Sequence, residues 1–127
     1  MRKLFLFAFV VILAGCASVQ KPPQAKVARL WHGKVLTSRA DEYERYLNEN
    51  GVNRLRAIPG NLGVQMFRHA DGDVTHFVVI SYWPSEEAIR AWAGDVLTRT
   101  RLMPRDPEFL IDPELTVIHY DIKVQDW

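Results

Sequence analysis

Four histidines, His32, His69, His76 and His119, are the side chains of this 127-residue chain suited to proton exchange near neutral pH. His32 and His119 stand in apolar, strand-like stretches at the two ends of the chain's folded part. Either can act as a general base; the competing reading is a half-exposed strand histidine with no catalytic task. His69 and His76 flank Asp71-Gly72-Asp73, and two imidazoles can begin a metal site. Nothing in the spacing assures a carboxylate on the same face, so no metal is expected there. Trp31, Trp83, Trp92 and Tyr82 supply flat surfaces that can line a pocket for an aromatic molecule, or else pack the core and an interface. Tyr43, Tyr46 and Tyr82 can each donate a hydrogen bond to a carbonyl or phenol. Arg99, Arg101 and Arg105, with Asp106, lie in a proline-broken segment, as a lid that grips an anionic group or as a solvated loop. No phosphate loop, nucleophile elbow or zinc helix motif is present.

The elements that must position these groups are legible from periodicity. Val27 to Leu36 alternates as a strand, with Trp31 and Val35 on one face and Leu30 and His32 on the other. Thr37 or Ser38 can cap a helix, and Asp41 follows Ser38 by three residues in capping-box style. Tyr43, Tyr46, Leu47, Leu55 and Ile58 recur at helical spacing, with Gly51 expected to loosen or split the helix. Pro59-Gly60 ends it. Leu62 to Ala70 is a second strand, Asp71-Gly72-Asp73 a hairpin turn, and Val74 to Trp83 a third strand rich in β-branched and aromatic residues. After Pro84, Ser85-Glu86-Glu87 starts a second helix with a cap and an acidic first turn. Ala88, Ile89, Trp92 and Val96 form its apolar stripe. Leu97 to Glu114 reads as irregular and Leu115 to Val124 as a fourth strand. The order β-α-β-β-α-β predicts an α+β, ferredoxin-like fold: a four-stranded antiparallel sheet with both helices on one face. Phe77 and Val79 point opposite to Val78 and Ile80, so both sheet faces are apolar. The uncovered face predicts a homodimer with sheets packed face to face.

The start of the chain has a different character. Arg2 and Lys3 precede the apolar run Leu4 to Ile12, and Leu13-Ala14-Gly15-Cys16 follows. Basic start, short apolar core and small residues make a secretory signal peptide, since a bilayer span takes about 20 residues. Leu13 to Cys16 resembles the lipobox of bacterial lipoproteins, which implies lipidation of Cys16 and removal of residues 1–15. Cys16 is the only cysteine, which excludes an internal disulfide and a multi-cysteine metal site. Residues 16–26, with Pro22-Pro23, read as a tether, and residues 27–127 as one domain. By the same resemblance, Ala17 after the cysteine favours the outer membrane, facing the periplasm, in a Gram-negative host. The chain has 16 basic and 15 acidic residues, and 14 against 15 without Arg2 and Lys3. Such a balance offers no broad basic surface for nucleic acid.

Two stretches resemble the antibiotic biosynthesis monooxygenase-like domain: Ile58 to Val64, and Phe77 to Trp92. Pro104 to Leu110 and Ile118-His119-Tyr120 resemble an uncharacterised branch of that superfamily. The resemblance spans Val27 to Val124 and implies a dimeric α+β barrel with a pocket between helices and sheet. Its best-known members oxidise polyaromatic phenols with molecular oxygen and no metal or flavin, so no cofactor is expected. The superfamily's strand order places the first and fourth strands side by side. That implies a meeting of His32 and His119, one of them deprotonating a phenol. A heme-degrading branch uses an Asn on the first strand, a Trp on the second helix and a following His. Trp92 matches the Trp, but Arg29-Leu30-Trp31-His32 has no Asn and Arg99 to Arg101 no His. The expected function is a lipid-anchored, cofactor-independent monooxygenase of a small aromatic substrate. The alternative is a non-catalytic ligand-binding or envelope-stress lipoprotein on the same fold.

Overall fold

Period-two alternation builds the sheet. The computed structural model describes residues 10–12, 15 and 24–127; Cys16, with most of the expected leader and tether, lies outside them. β1 (Val27–Leu36) and β3 (Val74–Trp83) pair antiparallel over their whole lengths, from Val27 opposite Trp83 to Leu36 opposite Val74. β2 (Gly63–Asp71) pairs with the far edge of β3, and β4 (Ile118–Asp121) with β1, giving the order β2-β3-β1-β4. This is the ferredoxin-like topology expected from the element order. β2 and β3 join through a two-residue loop, Gly72-Asp73. Gly72 has φ +60°, a conformation that favours glycine at the first loop position of a tight hairpin.

The helices cover the face carrying Val27, Val35, Phe77, Val79 and Trp83. α1 (Ala40–Leu47) and α2 (Asn53–Arg56) are joined by a π-helical turn, Asn48–Val52. Gly51 sits in that turn, where a split was expected. The wider turn places Leu47 and Val52, five residues apart, together with Leu55 above the sheet. Tyr43 is fully buried and meets the Phe77 ring edge-on at 5.3 Å and the Phe109 ring, tilted, at 5.1 Å. Arg68 on β2 straps the sheet to α1 through Asp41 and Glu44 at 2.7 and 2.8 Å.

Three local expectations are corrected. The Ser38/Asp41 capping box does not form: Thr37–Arg39 is a 3-10 turn without a side-chain cap. Asp41 is taken by Arg68, and the Thr37 hydroxyl by the Gly72 carbonyl and the Thr75 hydroxyl of the hairpin. The second helix is short, a 3-10 turn Glu87–Ile89 followed by α3 (Arg90–Ala93), so Val96 lies beyond it and exposed. Ser85 does cap: its Oγ accepts from the Ala88 N–H at 3.2 Å. The fourth strand covers only Ile118–Asp121. Residues upstream of it turn away from β1 because Thr100 and Val117 donate to Leu115 and Thr98, tying 98–100 to 115–117 as a small ribbon. Further along, the edge of β1 is taken by the Ile111 N–H, which donates to the Lys34 carbonyl. One more short helix, α4 (Asp106–Phe109), lies in the proline-rich segment.

Candidate functional site: a cleft between sheet and helices

The sheet face under the helices is not fully filled. Trp31, Val79 and Ser81 from the sheet and Leu47, Val52 and Leu55 from the helical layer bound a cleft. Trp92 of α3 and Arg101, Met103 and Asp106 of the proline-rich segment complete its walls. The empty space, open solvent at its mouth included, is about 470 Å³. Its largely apolar walls, closed by a few polar side chains, are of the kind that take a small organic molecule. Trp31 lies flat because its β1 neighbour is Gly33. A Cβ there would come within 2.5 and 2.6 Å of two indole ring carbons and 3.0 Å of Leu110. Trp92 is held from above by Arg101, whose guanidinium lies 4.4 Å from the indole centroid and whose Nη1 donates to the Trp92 carbonyl at 3.1 Å.

Two buried ionisable groups reach this cleft. Asp106, 3% exposed, accepts from the Met103 N–H at 2.7 Å and from the Tyr43 hydroxyl at 3.0 Å. Burial pushes its carboxyl above its ordinary value, and the two hydrogen bonds pull the other way. The same burial, with the Asp106 charge beside it, keeps the Tyr43 phenol firmly protonated and a donor. Arg29, also 3% exposed, donates to the carbonyls of Leu97 and, at 2.8 Å, Arg99. Its Nη1 also lies 3.0 Å from His119 Nε2. Burial lowers the guanidinium to about 10, still charged near neutral pH.

A guanidinium has no lone pair to offer, so His119 Nε2 must accept and its proton sits on Nδ1, which faces Glu86 at 3.6 Å. Burial first, then the Arg29 charge, holds His119 below its ordinary value, against the pull of Glu86. The neutral imidazole is therefore part of the fold. In the unfolded chain the ring binds a proton near pH 6.5. Folding stability is then complete above that pH and falls as pH drops toward the lower folded value. His119→Gln keeps an acceptor for Arg29 and is expected to flatten this acid limb in thermal melts recorded between pH 7.5 and about 5; an unchanged slope would remove His119 from the account.

The expected histidine pair does not form. β1 places Arg29, not His32, opposite His119, and His32 has the opposite parity, on the open face of the sheet. There His32 contacts His76 at 2.9 Å and Glu114 at 2.9 Å. Neither His32 nor His119 lines the cleft. Of the expected pocket aromatics, Trp31 and Trp92 line it. Trp83 is core, 0% exposed, with its Nε1 donating to Ser81 Oγ at 2.8 Å. Tyr82 points to the open face, where its hydroxyl donates to Gln65 and its ring meets Trp127 edge-on. Of the expected lid, Arg101 and Asp106 reach the cleft. Arg99 contributes its carbonyl to Arg29, and Arg105 lies outside over Tyr46 and Phe109. No group of three or more metal-ligating side chains occurs among the described residues. Arg29 is the cleft residue that sequence reasoning overlooked. Its signal was available, since it shares strand parity with Trp31 and Val35.

Residues 34–95 match the family described as antibiotic biosynthesis monooxygenase. No curated protein matches the chain. Among solved structures, the chain is similar to one described as a putative antibiotic biosynthesis monooxygenase from Bacillus cereus. That match has 14% identity and a TM-score of 0.56, over 81% of this chain and 98% of that one. It is also similar to the heme-degrader MhuD from Mycobacterium tuberculosis with two hemes in its active site. Here identity is 20% and the TM-score 0.53, over 80% of this chain and 99% of that one. A MhuD variant with two manganese protoporphyrin IX molecules per active site gives 21% and 0.56, over 80% and 98%. The fold and the profile agree: residues 34–95 carry the antibiotic biosynthesis monooxygenase domain, on a four-stranded, ferredoxin-like α+β scaffold.

Proposed function

We propose that this domain binds a small aromatic phenol in the cleft and oxidises it with molecular oxygen, without flavin or metal. The observation that carries the reading is the cleft itself: two indoles and aliphatic walls around a buried carboxylate and two guanidiniums. In the reaction a ring C–H becomes C=O and the phenol O–H loses its proton. Both hydrogens leave with the second oxygen atom as water, and dioxygen is the sole oxidant. Removing the phenolic proton makes the ring electron-rich enough to reduce oxygen. Asp106, its carboxyl raised by burial, is the base in the lining. It replaces the histidines in that role.

Heme does not fit this lining. It offers iron no imidazole, thiolate or phenolate. Met103 is its one soft donor, and it lacks the histidine that accompanies methionine in cytochrome c ligation. A second reading, ligand binding without turnover, is favoured by the engagement of Asp106, both of whose oxygens already accept hydrogen bonds. Oxygen uptake separates the two.

The wider setting is also part of the proposal. The open sheet face carries Leu30, Phe67, Val78, Ile80, Ile118 and Tyr120, the last two and Phe67 exposed. A second copy packed on this face removes that surface from water. Light scattering on residues 27–127 is expected to give twice the monomer mass; a monomer at micromolar concentration would refute it. We place the protein on the envelope by lipidation of Cys16, in the outer membrane facing the periplasm. Two lipidated chains per dimer anchor more firmly than one. Cytosolic reductants are not supplied there, which suits chemistry needing oxygen alone. Among the described residues no helix is long and apolar enough to cross a membrane. Cys16→Ser is expected to move the protein from the membrane fraction to the soluble one; tight retention would sink the anchor.

A further inference from the structure

The cleft holds a cation whose partners are all neutral. Arg29 is almost wholly buried, yet its guanidinium contacts two backbone carbonyls and one imidazole nitrogen. No carboxylate lies within ion-pair distance of it among the described residues; Glu86 lies behind His119 and faces the imidazole, 3.6 Å from Nδ1. A buried charge without a counter-charge is costly, and folds retain one where something pairs it. The donor count says which groups are left for that partner. Nη1 uses both its hydrogens, on Leu97 and His119, and Nη2 uses one, on Arg99. Nε–H and one N–H of Nη2 remain. Nε and Nη2 share the edge on which a guanidinium takes a carboxylate two-pronged. Arg29 also lines the cleft.

We propose that the Nε–Nη2 edge of Arg29 is a carboxylate-binding site, and that the ligand of the cleft is an aromatic carboxylate rather than a neutral phenol alone. The inference rests on the aromatic-ligand reading above and names its substrate class. A phenol enters uncharged and gives its proton to Asp106 only when it reacts, so it leaves the Arg29 charge unpaired on binding. A carboxylate pairs it from the outset. The leucine, valine and tryptophan walls take the ring, and Arg101, exposed at the mouth over Trp92, favours approach of an anion. His119 and Glu86 act through Arg29 as positioning residues. The neutral imidazole accepts from Nη1 and so leaves the Nε–Nη2 edge for the ligand.

The test compares two isosteric probes, 2-naphthoate and 2-naphthamide, by calorimetric titration of the full chain in lipid nanodiscs, with empty discs subtracted and ionic strength fixed. The acid is expected to bind at least about tenfold more tightly than the amide. Arg29→Met should bring the ratio close to one, and Arg101→Met should lower it only modestly. Should Arg29→Met fail to fold by circular dichroism, Arg29→Lys is the second variant. A point charge lacks the two-pronged edge, so its ratio should fall clearly below the wild-type value. Equal binding of both probes by the wild-type chain would overturn the carboxylate site and leave the aromatic cleft standing. An undiminished ratio in the folded Arg29 variant would overturn it as well. Binding of neither probe would overturn the aromatic cleft, and the carboxylate site with it.

Discussion

Trp83→Ala is expected to reduce the unfolding free energy by about 3–5 kcal/mol, a large share of the roughly 5–15 kcal/mol of a typical domain. Trp83 is the last residue of β3, 0% exposed, and its carbonyl accepts from the Lys26 N–H at 2.9 Å where the chain enters β1. Truncation opens a cavity under the helices. It also strands the Ser81 hydroxyl, which is 1% exposed and accepts from the indole. Two costs therefore add at one site. Trp83→Phe keeps most of the volume and loses only the donor, so it should fall between wild type and Ala in urea unfolding. A loss below about 1 kcal/mol for the alanine variant would show that the site relaxes, and that Trp83 is not central to the core.

Asp106→Asn should lower turnover of a bound phenol by about a hundred- to ten-thousand-fold, with a much smaller effect on affinity and fold. The amide oxygen can still accept from the Met103 N–H, and the Tyr43 hydroxyl can rotate to accept from the new NH₂. The fold should lose no more than about 1.5–3 kcal/mol, the scale of a hydrogen bond to a charged group. What disappears is the ability to take a proton in the cleft. The comparison is of kcat against ligand affinity by calorimetry. A fall in affinity that matches the fall in rate would make Asp106 a packing residue.

The sheet was readable because period two and the Asp71-Gly72-Asp73 turn both operate locally. Alternation in Val74–Trp83 requires Phe77 and Trp83 to share one face, and the tight turn fixes the register. Residues 97–117 were less legible, because their structure comes from pairing with distant segments. Thr98–Thr100 meets Leu115–Val117, and Arg99 and Leu97 serve Arg29, some seventy residues earlier. The histidine pair failed by parity. His32 has the right strand and the wrong face, and the β1–β4 register brings His119 to Arg29. Asp106 was named as a lid residue, but nothing local told that its carboxylate would turn inward onto Tyr43. Trp31 and Trp92 were legible as aromatic surface; their convergence needed the close approach that Gly33 permits.

The most direct test of the central claim is oxygen consumption by the full chain with a panel of hydroxylated naphthalenes, without added reductant or metal. The account predicts protein-dependent, saturable uptake, one dioxygen consumed per quinone formed, and a fall of about a hundredfold or more in Asp106→Asn. Uptake no faster than the protein-free rate across the panel would contradict it.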